Sequence, residues 1–224
     1  MYWILFIGIA LISYLVQSNL KRKIDRYSKV PVTSGMTGAE VAEKMLRDNG
    51  IYDVKVRPHD GWLSDHYNPT DKTVNLSHNV FYSNSVESAA VAAHECGHAV
   101  QHAGAYSFLR LRSALVPIVQ FSSNIVTWVL LGGILLVNVF PTLLLIGIIM
   151  FAMSTLFSFV TLPVEIDASR RATKWLQSAG ITNYSEQSMA IDALKSAAYT
   201  YIVVALSCLA TLIYYITIYM SRRD

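Results

Sequence analysis

The chain has 224 residues, 53% of them hydrophobic and 15% charged, with a mean hydropathy of +0.38 and a formal charge of +3. Soluble domains run near roughly 25% charged, so this composition points to a membrane protein; the few cations sit beside apolar runs, which excludes a nucleic-acid partner. Two cysteines, Cys96 and Cys208, are too few and too far apart for a disulfide framework.

The first apolar run, Tyr2 to Gln17, has no leading Lys or Arg and no A-x-A cleavage pattern, and basic residues follow it. Residues 1–18 are therefore expected to be a retained transmembrane anchor. Residues 19–113 are the one sizeable water-facing block and predict a small α+β domain. Within it, "TGAEVAEKMLRDNG" carries a capping-box pattern at Thr37 and Glu40 and a terminating Gly50, the marks of a helix. "IYDVKV" alternates like a strand, and "NPTDKTVNLS" predicts a turn at Asn68 to Asp71 before a strand through Val74 and Leu76. Asn84 and Glu87 form another cap signal ahead of a helix through "SAAVAAHECGHAVQH".

From Ala114 to Val164 there is no Asp, Glu, Lys, Arg or His. A crossing needs about 20 apolar residues, so residues 114–162 predict a transmembrane hairpin turning at Asn138 to Pro141. Pro163 and "VEIDASRRATKWLQSAG" suggest a kink or restart and an amphipathic helix ending at Gly180; Ser185 to Lys195 follow as a short helix. Residues 163–198 are thus expected to be water-facing helices, and 199–220 the last span, with Tyr199 and Tyr201 as interfacial anchors. Lys21, Arg22, Lys23, Arg26, Lys29, Arg110, Arg112, Arg170, Arg171 and Lys174 all fall on one side of four such spans, and only Arg222 and Arg223 break the pattern. That side is the cytoplasm by the positive-inside rule. The expected architecture is a mainly α membrane protein of about four transmembrane helices, with a cytoplasmic α+β zincin-like domain inserted between the first and second.

Residues four apart on a helix are offset by about 40° and about 6 Å, so His94 and His98 share a face and can share one ion. Glu95 stands beside them. This is H-E-x-x-H, in which two imidazoles bind zinc and the glutamate is the general base. Gly97 gives that face room for a water or a substrate backbone, Cys96 faces away from the ion, and His102 lies too far along the helix to be a third ligand. Catalytic zinc usually takes three protein ligands and keeps one open position. Glu165 and Asp167 are candidates for the third because the hairpin returns the chain to the same membrane face. Glu186, Asp192 and Asp224 lack that reason, while His59, Asp65, His66 and His78 compete from upstream.

"AAHECGHAVQH", "LSDHYNPTDKTVNLS" and "LPVEIDASRRA" together resemble the YugP-type bacterial membrane zinc metallopeptidases, and the likeness covers nearly the whole chain. More distantly the chain resembles the HtpX and CaaX prenyl endopeptidase group, in which a glutamate on a helix after a membrane segment completes the site. The resemblance implies zinc bound by His94, His98 and Glu165. Those distant relatives place an aspartate four residues after that glutamate; here Ser169 stands there, and Asp167 or Ser169 is left to orient a ligand histidine. His66 and Tyr67 are candidate donors to an oxyanion, and the strand before the zinc helix offers an edge to an extended peptide.

The expected activity is peptide-bond hydrolysis at the cytoplasmic membrane surface, with Glu95 as general base and a peptide or membrane protein as substrate. The competing reading is a non-catalytic membrane scaffold tied by a structural zinc, which would need four protein ligands. Only Ser88 to Ala93 separate Glu87 from His94, so the zinc helix itself cannot span a bilayer. Oligomeric state is not readable from these residues.

Overall fold

A computed structural model of the chain describes residues 2–61 and 63–221. Among these residues it is mostly helical, with one small sheet. The elements in order are α1 (Tyr2–Tyr27), α2 (Gly38–Asp48), β1 (Lys55–His59), β2 (His66–Asn68), β3 (Thr73–Ser77), α3 (His78–Tyr82), α4 (Val86–Ala103), α5 (Ser107–Leu135), α6 (Pro141–Ser178) and α7 (Tyr184–Met220). Among the described residues three helices, α5, α6 and α7, are long and apolar enough to cross a membrane. The expected first anchor falls on α1, while Arg222, Arg223 and Asp224 lie outside the described residues.

The chain divides into two compact units: Met1–Ile9, Ser107–Pro163 and Tyr201–Asp224 form one, and Ala10–Tyr106 with Val164–Thr200 the other. In the first, α5 and α6 pack against each other, with Pro141 at the first helical position of α6, where its missing N–H has no partner to lose. Their apolar contact is built on Val126, Leu130, Leu144 and Ile148. No restart occurs at Pro163, because α6 is one helix from Pro141 to Ser178. Proline already has a helical φ, and within an apolar helix the single lost hydrogen bond is tolerated. Likewise the short helix expected at 185–195 is the beginning of α7.

In the second unit α2 is capped as its sequence predicts: Thr37 Oγ1 accepts from Glu40 N, and the Glu40 carboxylate accepts from Thr37 N at 2.7 Å. Gly50, at φ +71°, turns the chain out of α2, and Ile51 N closes the end on the Leu46 carbonyl at 2.9 Å. Ile51 is consequently part of the helix end and the core, and the strand expected from "IYDVKV" begins only at Lys55. The sheet order is β1-β3-β2, with β1 parallel and β2 antiparallel to β3. Val74 and Leu76 of the central strand point into a core shared with Val41, Ala42, Met45 and Leu46 of α2 and the alanine-rich side of α4. Small side chains on α4 let its neighbours approach closely, which is why the segment is lined with alanine.

The N-cap of α4 is Ser85, one residue later than expected: its hydroxyl accepts from Ser88 N at 3.0 Å. Asn84 is pinned instead by its carbonyl, which accepts from Val32 N. Glu87, expected to close a capping box, is 5% exposed and accepts a bond from the Ser88 hydroxyl. Burial pushes its pKa up to about 7; the Ser88 and Ser85 hydroxyls oppose the rise and the Asp65 charge adds to it. Because the folded value lies above the ordinary 4.5, folding favours the protonated form. The benefit is present below about pH 4.5 and is lost as pH rises through about 7. The full difference is at most about 3.5 kcal/mol. Glu87→Gln is therefore expected to raise Tm at pH 8 and to leave it nearly unchanged at pH 4, and equal effects at the two pH values would refute this origin.

Candidate metal centre

α4 presents His94, Glu95 and His98, and α6 brings Glu165 against them within the same compact unit. His94 Nε2 lies 3.3 Å from Glu165 Oε2 and His98 Nε2 3.7 Å from the same oxygen. One ligand atom from each of the three residues falls within 4.8 Å of the others. Donors about 2.1 Å from a tetrahedral ion stand about 3.4 Å apart, so the spacing suits a small divalent cation. The side chains of His94, His98 and Glu165 are 14%, 10% and 4% exposed, enough for a shielded site that water still reaches. Burial opposes charge on the His98 ring, yet the neighbouring Glu165 and Glu95 carboxylates outweigh it and raise its pKa.

Each imidazole turns its other nitrogen to an outer partner. His94 Nδ1 is 3.1 Å from Ser169 Oγ, and His98 Nδ1 is 3.1 Å from Gln101 Oε1. Such contacts orient a ligand ring and settle which nitrogen carries its proton. Ser169 therefore stands where a ring-orienting group was expected. Asp167 does not touch either ring: it accepts from Gln101 Nε2 at 2.8 Å and from Arg171 Nε at 2.6 Å. Gln101, buried completely, is the residue that sequence reasoning missed. Its spacing of three from His98 on one helix face was the available signal.

Glu95 is 8% exposed, and its Oε2 accepts from the backbone N–H of Tyr67 at 3.0 Å. That bond comes from β2, an edge strand that sequence patterning did not predict. The Tyr67 hydroxyl meets His102 Nδ1 at 2.8 Å, which gives His102 a partner outside the cation group. His66 is exposed and turns its ring to the Ser64 carbonyl and Asn75, with the His59 ring edge-on at 5.3 Å; the structure does not bring it to the cation group. The other candidate ligands are engaged elsewhere: Asp65 with Ser77, His78 with Asp60, Glu186 with Thr33, and Asp192 with Lys23 and Tyr27.

Cys96 is buried against the Ala42 carbonyl, as its position on α4 predicts. Gly97 has a different use from the one expected. A Cβ at Gly97 would stand 2.7 Å from the Ala168 carbonyl oxygen and 3.1 Å from its Cα, so the absent side chain admits the backbone of α6, not a substrate. Overpacking costs about 1–3 kcal/mol, whereas alanine gains about 1 kcal/mol in helix propensity. Because the obstacle is backbone, Gly97→Ala is expected to lower Tm and to weaken cation binding together, by moving Glu165 and Ser169 away from α4. A raised Tm with unchanged metal affinity would contradict it.

A family model described as "Putative neutral zinc metallopeptidase" matches residues 2–220. The chain is also 41% identical over 213 residues to "Putative membrane protease YugP" of Bacillus subtilis (strain 168), an alignment covering 95% of this chain and 94% of that protein. No solved structure matches the chain.

Proposed function

The chain belongs to this neutral zinc metallopeptidase family, and on that premise we propose that it is a membrane-bound zinc endopeptidase. Its zinc ligands are His94, His98 and Glu165, and its general base is Glu95. The observation that carries this reading is the meeting of two Nε2 atoms and one carboxylate oxygen beside a second glutamate of the zinc helix. Two imidazoles and a carboxylate are a donor set of catalytic zinc, which leaves a fourth position open. A structural zinc would need a fourth protein donor; among the described residues the cation group has three, which supports the catalytic reading.

Zinc, when bound, supplies a Lewis acid that polarises a peptide carbonyl and makes water a nucleophile near neutral pH. The remaining work belongs to the chain. Glu95 takes the proton of the attacking water and gives it to the leaving amine. The Tyr67 N–H holds Glu95 Oε2, which leaves Oε1 for the proton. Ser169 and Gln101 hold the two imidazoles in place. The strand expected to offer an open edge, β3, is paired on both sides by β1 and β2, so an extended peptide would have to approach the outer edge of β2, where the Tyr67 N–H is already given to Glu95.

We place the site at the cytoplasmic surface of a plasma membrane, with α1 as a fourth span. The basic residues after α1, before α5 and after the apolar part of α6 support that orientation. The substrates would be peptides or membrane proteins reached at that surface. The decisive experiment is metal analysis of the purified chain together with a comparison of peptides cleaved by the wild type and by a Glu95 variant. Absence of tightly held zinc, or a fourth protein ligand in a metal-loaded structure, would overturn the proposal.

A further inference from the structure

We infer that Gln101 is a positioning residue of the metal centre, fixing His98 in the one tautomer that offers a lone pair to the cation; this rests on the zinc reading above. Gln101 is completely buried, and both polar atoms of its amide have partners. Its Nε2 donates to the Val164 carbonyl at 2.8 Å and to Asp167 Oδ2 at 2.8 Å. Neither partner can donate in return: one is a backbone carbonyl, the other a carboxylate held by Arg171 Nε at 2.6 Å.

Turning the amide over would set its oxygen against two acceptors in a buried place, which is costly. The orientation is therefore imposed from outside the metal centre. It leaves Oε1 facing His98 Nδ1 at 3.1 Å. An amide oxygen only accepts, so Nδ1 must carry the hydrogen, and in a neutral ring Nε2 then holds the lone pair. Nε2 is the atom that faces Glu165. A ring of the other tautomer would direct an N–H at the cation.

The same stretch of α6 thus serves both imidazoles. Val164 and Asp167 anchor Gln101 behind His98, Ser169 contacts His94 directly, and Glu165 between them is the third ligand. Arg171 and Asp167, 38% and 25% exposed on their side chains, link this arrangement to a more accessible part of the unit. Among the described residues the Nδ1 partners of the two rings are a hydroxyl and an amide oxygen, not a carboxylate. Orientation reaches His98 through a neutral amide, and the charge stays one residue removed.

The test uses the full chain in detergent. Zinc affinity is measured by competition with a chromophoric chelator, and the cobalt-loaded protein is followed by its visible absorption. Gln101→Leu, close in size and without polar atoms, should weaken zinc binding about 10–100-fold and shift the cobalt bands while Tm with metal removed shows a folded protein. Gln101→Glu keeps an acceptor for Nδ1 but faces the Asp167 carboxylate, so it should also lose affinity. Adding Asp167→Asn restores a donor opposite that carboxylate and should recover about tenfold or more. A role in packing alone would produce no such rescue. Wild-type zinc lost on His94→Ala, with Gln101→Leu folded and unchanged in affinity and cobalt spectrum, would overturn this inference and leave the peptidase reading standing. A wild type that holds no zinc would overturn both. Should Gln101→Leu fail to fold, the glutamate single and double variants decide: no rescue refutes the role.

Discussion

Glu95→Gln is expected to reduce peptide hydrolysis by about two to four orders of magnitude while the protein keeps its full zinc content. The magnitude is that of a lost general base. The separation of the two effects follows from geometry: Glu95 stands next to His94 on α4 but is not one of the three donors that converge on the cation position. Glutamine is nearly the same size and can still present an oxygen to the Tyr67 N–H, so the contact to β2 at 3.0 Å survives. What disappears is the ability to accept a proton. The check is turnover of a peptide substrate per zinc bound, measured on both proteins at one pH. Retained turnover would remove Glu95 from its role, and loss of zinc with loss of turnover would show it to be a ligand.

How much of this was legible from the residues depended on how local each signal was. The start of α2 is a contest settled within four residues, and Thr37 and Glu40 announce it fully. His94, Glu95 and His98 are likewise placed by one helical turn. Glu165 lies 71 residues beyond His94. Spacing alone left it among several acids and histidines, and only resemblance to a known family singled it out. Gly97 was misread for a related reason: a missing side chain shows that something comes close, and tertiary packing decides what, here the Ala168 backbone. The cap of α4 moved from Asn84 to Ser85 because a backbone contact to Val32 outweighed local preference. Gln101 was passed over because a glutamine between two histidines looks like a solvated side chain until the acceptors on α6 are in view.

The dependence on α6 gives the second large effect. Glu165→Ala should weaken zinc binding by more than about 100-fold, the upper end of what losing an outer partner costs a metal site. Removing a ligand is more severe, because two imidazoles remain and, among the described residues, the upstream candidates are engaged elsewhere. Asp65 is held by Ser77, and His66 by Ser64 and Asn75. The thermal consequence follows by mass action. With zinc at 100 times the wild-type Kd, binding stabilises the folded chain by about 2.7 kcal/mol; a variant 100-fold weaker gains only about 0.4 kcal/mol at the same concentration. Wild-type Tm should therefore climb with added zinc while that of Glu165→Ala stays nearly flat, and hydrolysis should fall in step with zinc occupancy. Without metal the variant also loses the carboxylate that faces both buried rings, so its starting Tm should be lower as well. Equal zinc content and parallel Tm curves would return the third ligand to His59, Asp65 or His66, and with it the requirement that α6 pack against α4 for metal to bind.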